Sequence, residues 1–211
     1  MYPAYARSER IADGAMHALG VAGAIAGAVS LVLLARGTDL SPGQTAALWV
    51  YGAALIATFT ASACYHMTPW EGPRPLLRRI DHAAIYLKIA GTYTPLVVLI
   101  GSALAYAILA VVWALAVFGM VRKLVFWQVP GRLDPLLYLA MGWLSLFLIW
   151  GLIPVVPGVS LWLIVAGGLT YTAGVAFYVW EGLKFSNAIW HLFVVVASAC
   201  FFGAIALGVL G

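Results

Sequence analysis

Apolar runs of about twenty residues recur along this chain, separated by short polar breaks. Each run is long enough to cross the ~30 Å hydrocarbon core of a bilayer as a helix. None alternates apolar and polar residues as a barrel strand does, and backbone groups in lipid must be satisfied within the element itself. Seven helices are therefore predicted: Ala15–Ala35, Thr45–Met67, Asp81–Ile100, Ala103–Val121, Asp134–Ile153, Gly158–Trp180 and Asn187–Leu210. Prolines mark most of the breaks: Pro42, then Pro69, Pro73 and Pro75, then Pro130 and Pro135, then Pro154 and Pro157. A helix stops easily where the ring removes a donor and crowds the preceding turn. The break at Gly101-Ser102 is the least marked. With short loops throughout, the expected fold class is all-α. It is a polytopic seven-helix transmembrane bundle, with residues 1–211 as a single domain.

Composition sharpens this picture. The 211 residues are 64% hydrophobic and 9% charged, whereas a water-soluble domain carries about 25% charge. That excludes a soluble domain. The first run has no typical cleavage site near it and is read as a span rather than a removed signal peptide. Cys64 and Cys200 both lie inside apolar runs, where a small lipid- or core-facing residue is the simplest reading. Small residues at close-packing spacing, such as Gly23 and Gly27, suit contact between helices in lipid.

The formal net charge is +4, and its location says more than its sum. Arg7, Arg10, Arg74, Arg78, Arg79, Arg122, Lys123, Arg132 and Lys184 fall on one side of the predicted bundle. Arg36 stands alone on the other side, and Lys88 lies within a span. Positive loops stay in the cytoplasm. The N-terminus is then expected inside and the C-terminus outside, which requires an odd number of spans.

On that topology the four histidines share the cytoplasmic leaflet. His17 starts the first span, His66 ends the second, His82 starts the third and His191 lies near the start of the seventh. Ser62 and His66 are i, i+4 and share a face, and Asn187 and His191 repeat the arrangement. Asp81, Lys88 and Thr92 fall on nearly one stripe of the third span. Ionisable groups inside a membrane are costly and face a bundle interior, a cavity or each other. One polar site shared by the second, third and seventh spans is expected. Each residue also has a plainer role. His17 and His82 suit a water boundary, and Asp81 suits a helix N-cap. Ser62 can bond back to a helix carbonyl, and Lys88 can snorkel to the headgroups.

The segments "SACYH", "RIDHAAIYLKIAGTYTP", "YLAMGWLS", "NAIWHLFV" and "ERIADGAMHALG" together resemble a bacterial hemolysin-III protein. That family is related to the progestin and adipoQ receptors and, more widely, to the alkaline ceramidases. The resemblance implies a bacterial inner-membrane protein with seven helices and an N-terminus inside. It implies zinc held by three histidines near the cytoplasmic face, with an aspartate holding the metal's water. By position, Ser62 and His66 match the family's Ser-x-x-x-His, and Asp81 matches the aspartate. His191 matches the second histidine of the last-span pair. Asn187 stands where the family has the first, and a neutral amide is a poor zinc ligand. Lys88 also departs, in a stretch where relatives are generally apolar.

Two functions follow as expectations. One is a zinc-dependent, ceramidase-like hydrolase of a membrane lipid amide or ester. His66 and His191, with Asn187 as a weak third, would form its metal site. Asp81 would orient water or accept a proton, and Ser62 would donate to the oxyanion. His17, His82 and Lys88 would be auxiliary. The other is a non-catalytic, receptor-like regulator with a degenerate metal site, in which Asp81 pairs with Lys88. A pore-forming cytolysin ranks below both, because no span carries a polar stripe through its full depth. The expected partner is a membrane lipid, as substrate or ligand. Nothing in the chain resembles a nucleic-acid module.

Overall fold

A computed structural model describes residues 6–126, 133–180 and 182–210. The sequence-derived break at Pro130 and the charge at Arg132 lie outside the described residues. Among the described residues, seven helices are long and apolar enough to cross a membrane: Arg7–Ala35, Pro42–Met67, Arg74–Ile100, Ala103–Leu124, Asp134–Leu152, Gly158–Val179 and Ser186–Val209. There is no strand among the described residues. The chain is a multi-pass membrane protein, and its outward surface is correspondingly apolar. Trp150 and Trp162 are 83% and 75% exposed, and the buried set includes Asp13, His17, Asp81 and Lys88. This is the arrangement lipid demands, with ionisable groups turned inward.

The spans agree with the sequence reading, but three of them start earlier. The first helix begins at Arg7 rather than Ala15, and Glu9 Oε2 accepts the Ala6 N–H at 2.9 Å to cap it. The second begins at Pro42, with Ser41 and Gln44 exchanging hydrogen bonds of 2.9 and 3.2 Å in a capping box. The third begins at Arg74, so Asp81 lies two turns inside the helix and is not its N-cap. Pro42 and Pro75 sit in first turns, where a missing N–H costs nothing and the fixed φ is already helical. They start helices rather than ending them. The Gly101-Ser102 break is sharp: Gly101 adopts φ 68° and closes the third helix, and Ser102 caps the fourth by accepting the Ala105 N–H at 3.2 Å.

The third span is central. It contacts the second, fourth, fifth and seventh, while the first and sixth flank the seventh. Backbones approach closely at a few glycines. A Cβ on Gly20 would lie 2.4 Å from Phe59, and one on Gly91 would lie 2.5 Å from Ala54. Gly27 meets Phe202, whereas a Cβ on Gly23 would meet nothing within 4 Å, so only Gly27 packs tightly. The fifth span is α-helical to Trp143, 3₁₀ over Leu144–Leu148 and α-helical again to Leu152. Just before the change, the Tyr93 hydroxyl lies 2.8 and 2.7 Å from the Met141 and Gly142 carbonyls, to which it donates. Lys123 and Asp134 form a buried ion pair at 2.8 Å that ties the fourth span to the fifth. Cys64 and Cys200 are free thiols.

Candidate metal centre

The first, second and seventh spans bring three imidazoles and one carboxylate together. Asp13 and His17 are i, i+4 on the first helix and share its inner face. His66 closes the second helix one residue before its end, and His191 lies in the second turn of the seventh. The possible ligand atoms of these four residues all lie within 4.8 Å of one another. The rings are in contact: centroids are 4.8 Å apart for His17 and His66, 4.2 Å for His17 and His191, and 4.6 Å for His66 and His191.

Asp13 is the hub. Its Oδ1 accepts a hydrogen bond from His191 Nδ1 at 2.7 Å and lies 3.6 Å from His17 Nε2. Its Oδ2 lies 3.4 Å from His66 Nδ1. Asp13, His17 and His191 are buried, and His66 is nearly so. His17 Nε2 is buried and makes no hydrogen bond. Such an orphaned ring nitrogen is costly away from water.

The set fits a divalent metal such as zinc. Imidazole and carboxylate are ordinary zinc donors at about 2.0–2.2 Å, and tetrahedral bonds of that length put ligand atoms roughly 3.3–3.6 Å apart. The 3.4 and 3.6 Å separations already match. At 2.7 Å the Asp13–His191 Nδ1 pair is a hydrogen bond and falls short of that range, so a metal would take the other ring nitrogen of His191.

Two cavities meet the cluster. The smaller, about 480 Å³, reaches Asp13 and His66 past Arg7, Glu9 and Arg10. The larger, about 1100 Å³, reaches His17, His66 and His191 from among the second, third, fifth, sixth and seventh spans. Its walls mix aliphatic and aromatic side chains with polar ones. Beside the smaller cavity the Phe185 N–H donates to Glu9 Oε1 at 2.9 Å, joining the start of the first helix to the turn that opens the seventh. Phe185 holds φ 64° there, a backbone that non-glycine residues rarely adopt.

The other residues singled out from sequence line the larger cavity around this cluster. Asp81 is buried, with Oδ2 3.6 Å from His82 Nδ1, and it stands outside the four-residue group. His82 Nδ1 donates to the Arg78 carbonyl at 2.9 Å. Ser62 lies one turn before His66 on the cavity wall, and Asn187 lies one turn before His191 and borders both cavities. Lys88 neither snorkels nor pairs with Asp81. Its ammonium is buried and donates to Ser198 Oγ at 2.6 Å. Asp13 was missed from sequence. Its signal was the spacing itself, Asp13-x-x-x-His17, the same i, i+4 step as Ser62 and His66. Hydropathy hides it, because the apolar run starts at Ala15, two residues later.

A family model described as "Haemolysin-III related" matches residues 6–202. The "Hemolysin-3" of Bacillus cereus is 35% identical over 205 residues, covering 96% of this chain and 92% of the relative. The "Hemolysin-3 homolog" of Bacillus subtilis (strain 168) is 34% identical over 197 residues, covering 92% and 91%. The human "Monocyte to macrophage differentiation factor" is 30% identical over 167 residues, covering 74% and 68%.

Proposed function

We propose, from the premise that this chain belongs to the haemolysin-III-related family, that it is a metal-dependent hydrolase of a membrane lipid amide or ester. It works in the cytoplasmic leaflet of a bacterial inner membrane. One observation carries this reading: the ligand atoms of Asp13, His17, His66 and His191 lie within 4.8 Å of one another beside an amphipathic cavity of about 1100 Å³. With Asn187 in place of an imidazole on the seventh span, His17 supplies the third histidine from the first.

His17, His66 and His191 would hold the metal, most simply zinc. When bound, it supplies Lewis acidity toward a carbonyl and acidifies water. Asp13 orients the His191 ring through its Nδ1–H and fixes which nitrogen is left for binding. Asp81, on the facing wall, is the group that accepts a proton and returns it to the leaving amine or alcohol. Ser62 donates to the carbonyl oxygen as charge develops on it. The larger cavity takes the lipid sideways from the bilayer, and the smaller one gives the cluster a separate polar approach.

Elemental analysis of the purified protein, paired with hydrolysis of a fluorescent N-acyl lipid amide, tests this. About one metal per chain is expected, falling below a tenth in His191→Ala and His17→Ala, with hydrolysis lost in step. Chelation should stop hydrolysis and zinc should restore it. A metal-free parent would sink the reading, as would hydrolysis indifferent to chelator. Asn187 favours a second reading, a non-catalytic receptor-like regulator. Metal that binds only in Asn187→His would establish that one instead.

A further inference from the structure

Lys88 raises a separate problem at the inner end of the larger cavity. It lies on the third span, two turns deeper than Asp81, and its bonding partner Ser198 lies two turns deeper than His191. Seven residues at 1.5 Å each place this point about 10 Å beyond the histidine cluster. The side chain lines the cavity and is 9% exposed.

An ammonium carries three donors. One goes to Ser198 Oγ at 2.6 Å. Ser198 cannot return more, because its own proton goes to the Val194 carbonyl and the Tyr171 hydroxyl, 3.2 Å away, takes its remaining lone pair. The Phe59 and Tyr171 rings flank the ammonium at 4.6 and 5.2 Å and give it partial cation–π support. Among the described residues, no carboxylate lies within ion-pair distance of it, and no second acceptor takes its other two donors. A buried charge left so is expensive unless something else supplies the counter-charge.

We propose that the inner end of this cavity is an anion subsite, in which Lys88, braced by Ser198, takes the carboxylate of a single-chain amphiphile. A carboxylate offers two oxygens to the two spare donors and neutralises the charge. The aliphatic walls formed by Ile89, Leu96, Ile164, Val194 and Val195 accept the chain. The subsite shares no residue with the four clustered at the metal centre, so it stands or falls separately from the hydrolase reading.

Binding of dodecanoate and of 1-dodecanol, both below their micelle thresholds, to the full chain in lipid nanodiscs tests it. The parent should prefer the carboxylate by about tenfold or more. Lys88→Met should abolish the preference, and so should Lys88→Gln, which keeps a donor for Ser198 and serves if the first variant folds poorly. Lys88→Arg and chelator-treated parent should retain it. The proposal is overturned if the parent shows no preference or if either neutral variant keeps it. Loss on metal removal alone would overturn it too, by placing the carboxylate at the histidines. So would loss in Arg78→Gln with Lys88 intact, by placing it at the cavity mouth.

Discussion

Asp13 and Asp81 are both buried carboxylates beside histidines, yet their surroundings differ, and the proposed function gives them different work. Asp13 touches three imidazoles from three helices. Asp81 touches His82 on its own helix and faces the cavity. Their neutral variants should therefore separate. Asp13→Asn should weaken metal affinity by about 10–100-fold, the usual cost of disturbing the partner of a ligating histidine. Asp81→Asn should leave metal content intact and slow hydrolysis by about 10²–10⁴-fold, the range for a lost general acid–base. Titration with a competing chelator reads the first, and turnover at saturating zinc reads the second. Equal metal loss in both variants would refute the division of labour. His66 and His191 were visible from sequence because each sits one turn from a polar residue inside an apolar run. Asp13 was not, because Arg7, Glu9 and Arg10 just before it make that stretch read as tail.

Helix existence was legible and helix starts were not, and the reason is physical. Hydropathy reports the length that lies in lipid, whereas a helix continues into water for as long as its caps and propensities allow. The first turns from Arg7 and Arg74 carry arginines and are helical all the same. Hence Asp81 reads as a cap from sequence and proves to be an interior residue. The opposite case is the turn between the third and fourth spans. Hydropathy hardly marks it, but it is enforced by a single glycine in the left-handed region. Gly101→Ala should cost about 1–2 kcal/mol, the penalty a Cβ meets at that φ. Thermal unfolding in detergent would show it, with Ser102→Ala as a comparison for losing the cap at typically ~1 kcal/mol. No change for Gly101→Ala would mean that the turn relaxes to another geometry.

The bundle's orientation is a property of all seven helices together. The proposed orientation, with the histidine end in the cytoplasm, rests on nine positive charges against one. Cysteine-labelling of intact cells should find a probe at Thr38 accessible from outside and one at Gly72 protected until the membrane is opened. The reverse pattern would put the metal centre on the outer face and remove the cytoplasmic-leaflet substrate with it.

The contact between Asp13 and His191 spans 178 residues of chain. At about 5–20 residues per second of synthesis, the carboxylate is made roughly ten to forty seconds before the imidazole that will hold it. During that interval the first helix must enter the membrane with an aspartate that has not yet met His191. It tolerates this because Asp13 lies in the second turn from the water-facing end. Biogenesis thus constrains where such a hub can stand: moved two turns deeper, the same residue would hinder insertion of the newborn helix before the pocket it serves had been made.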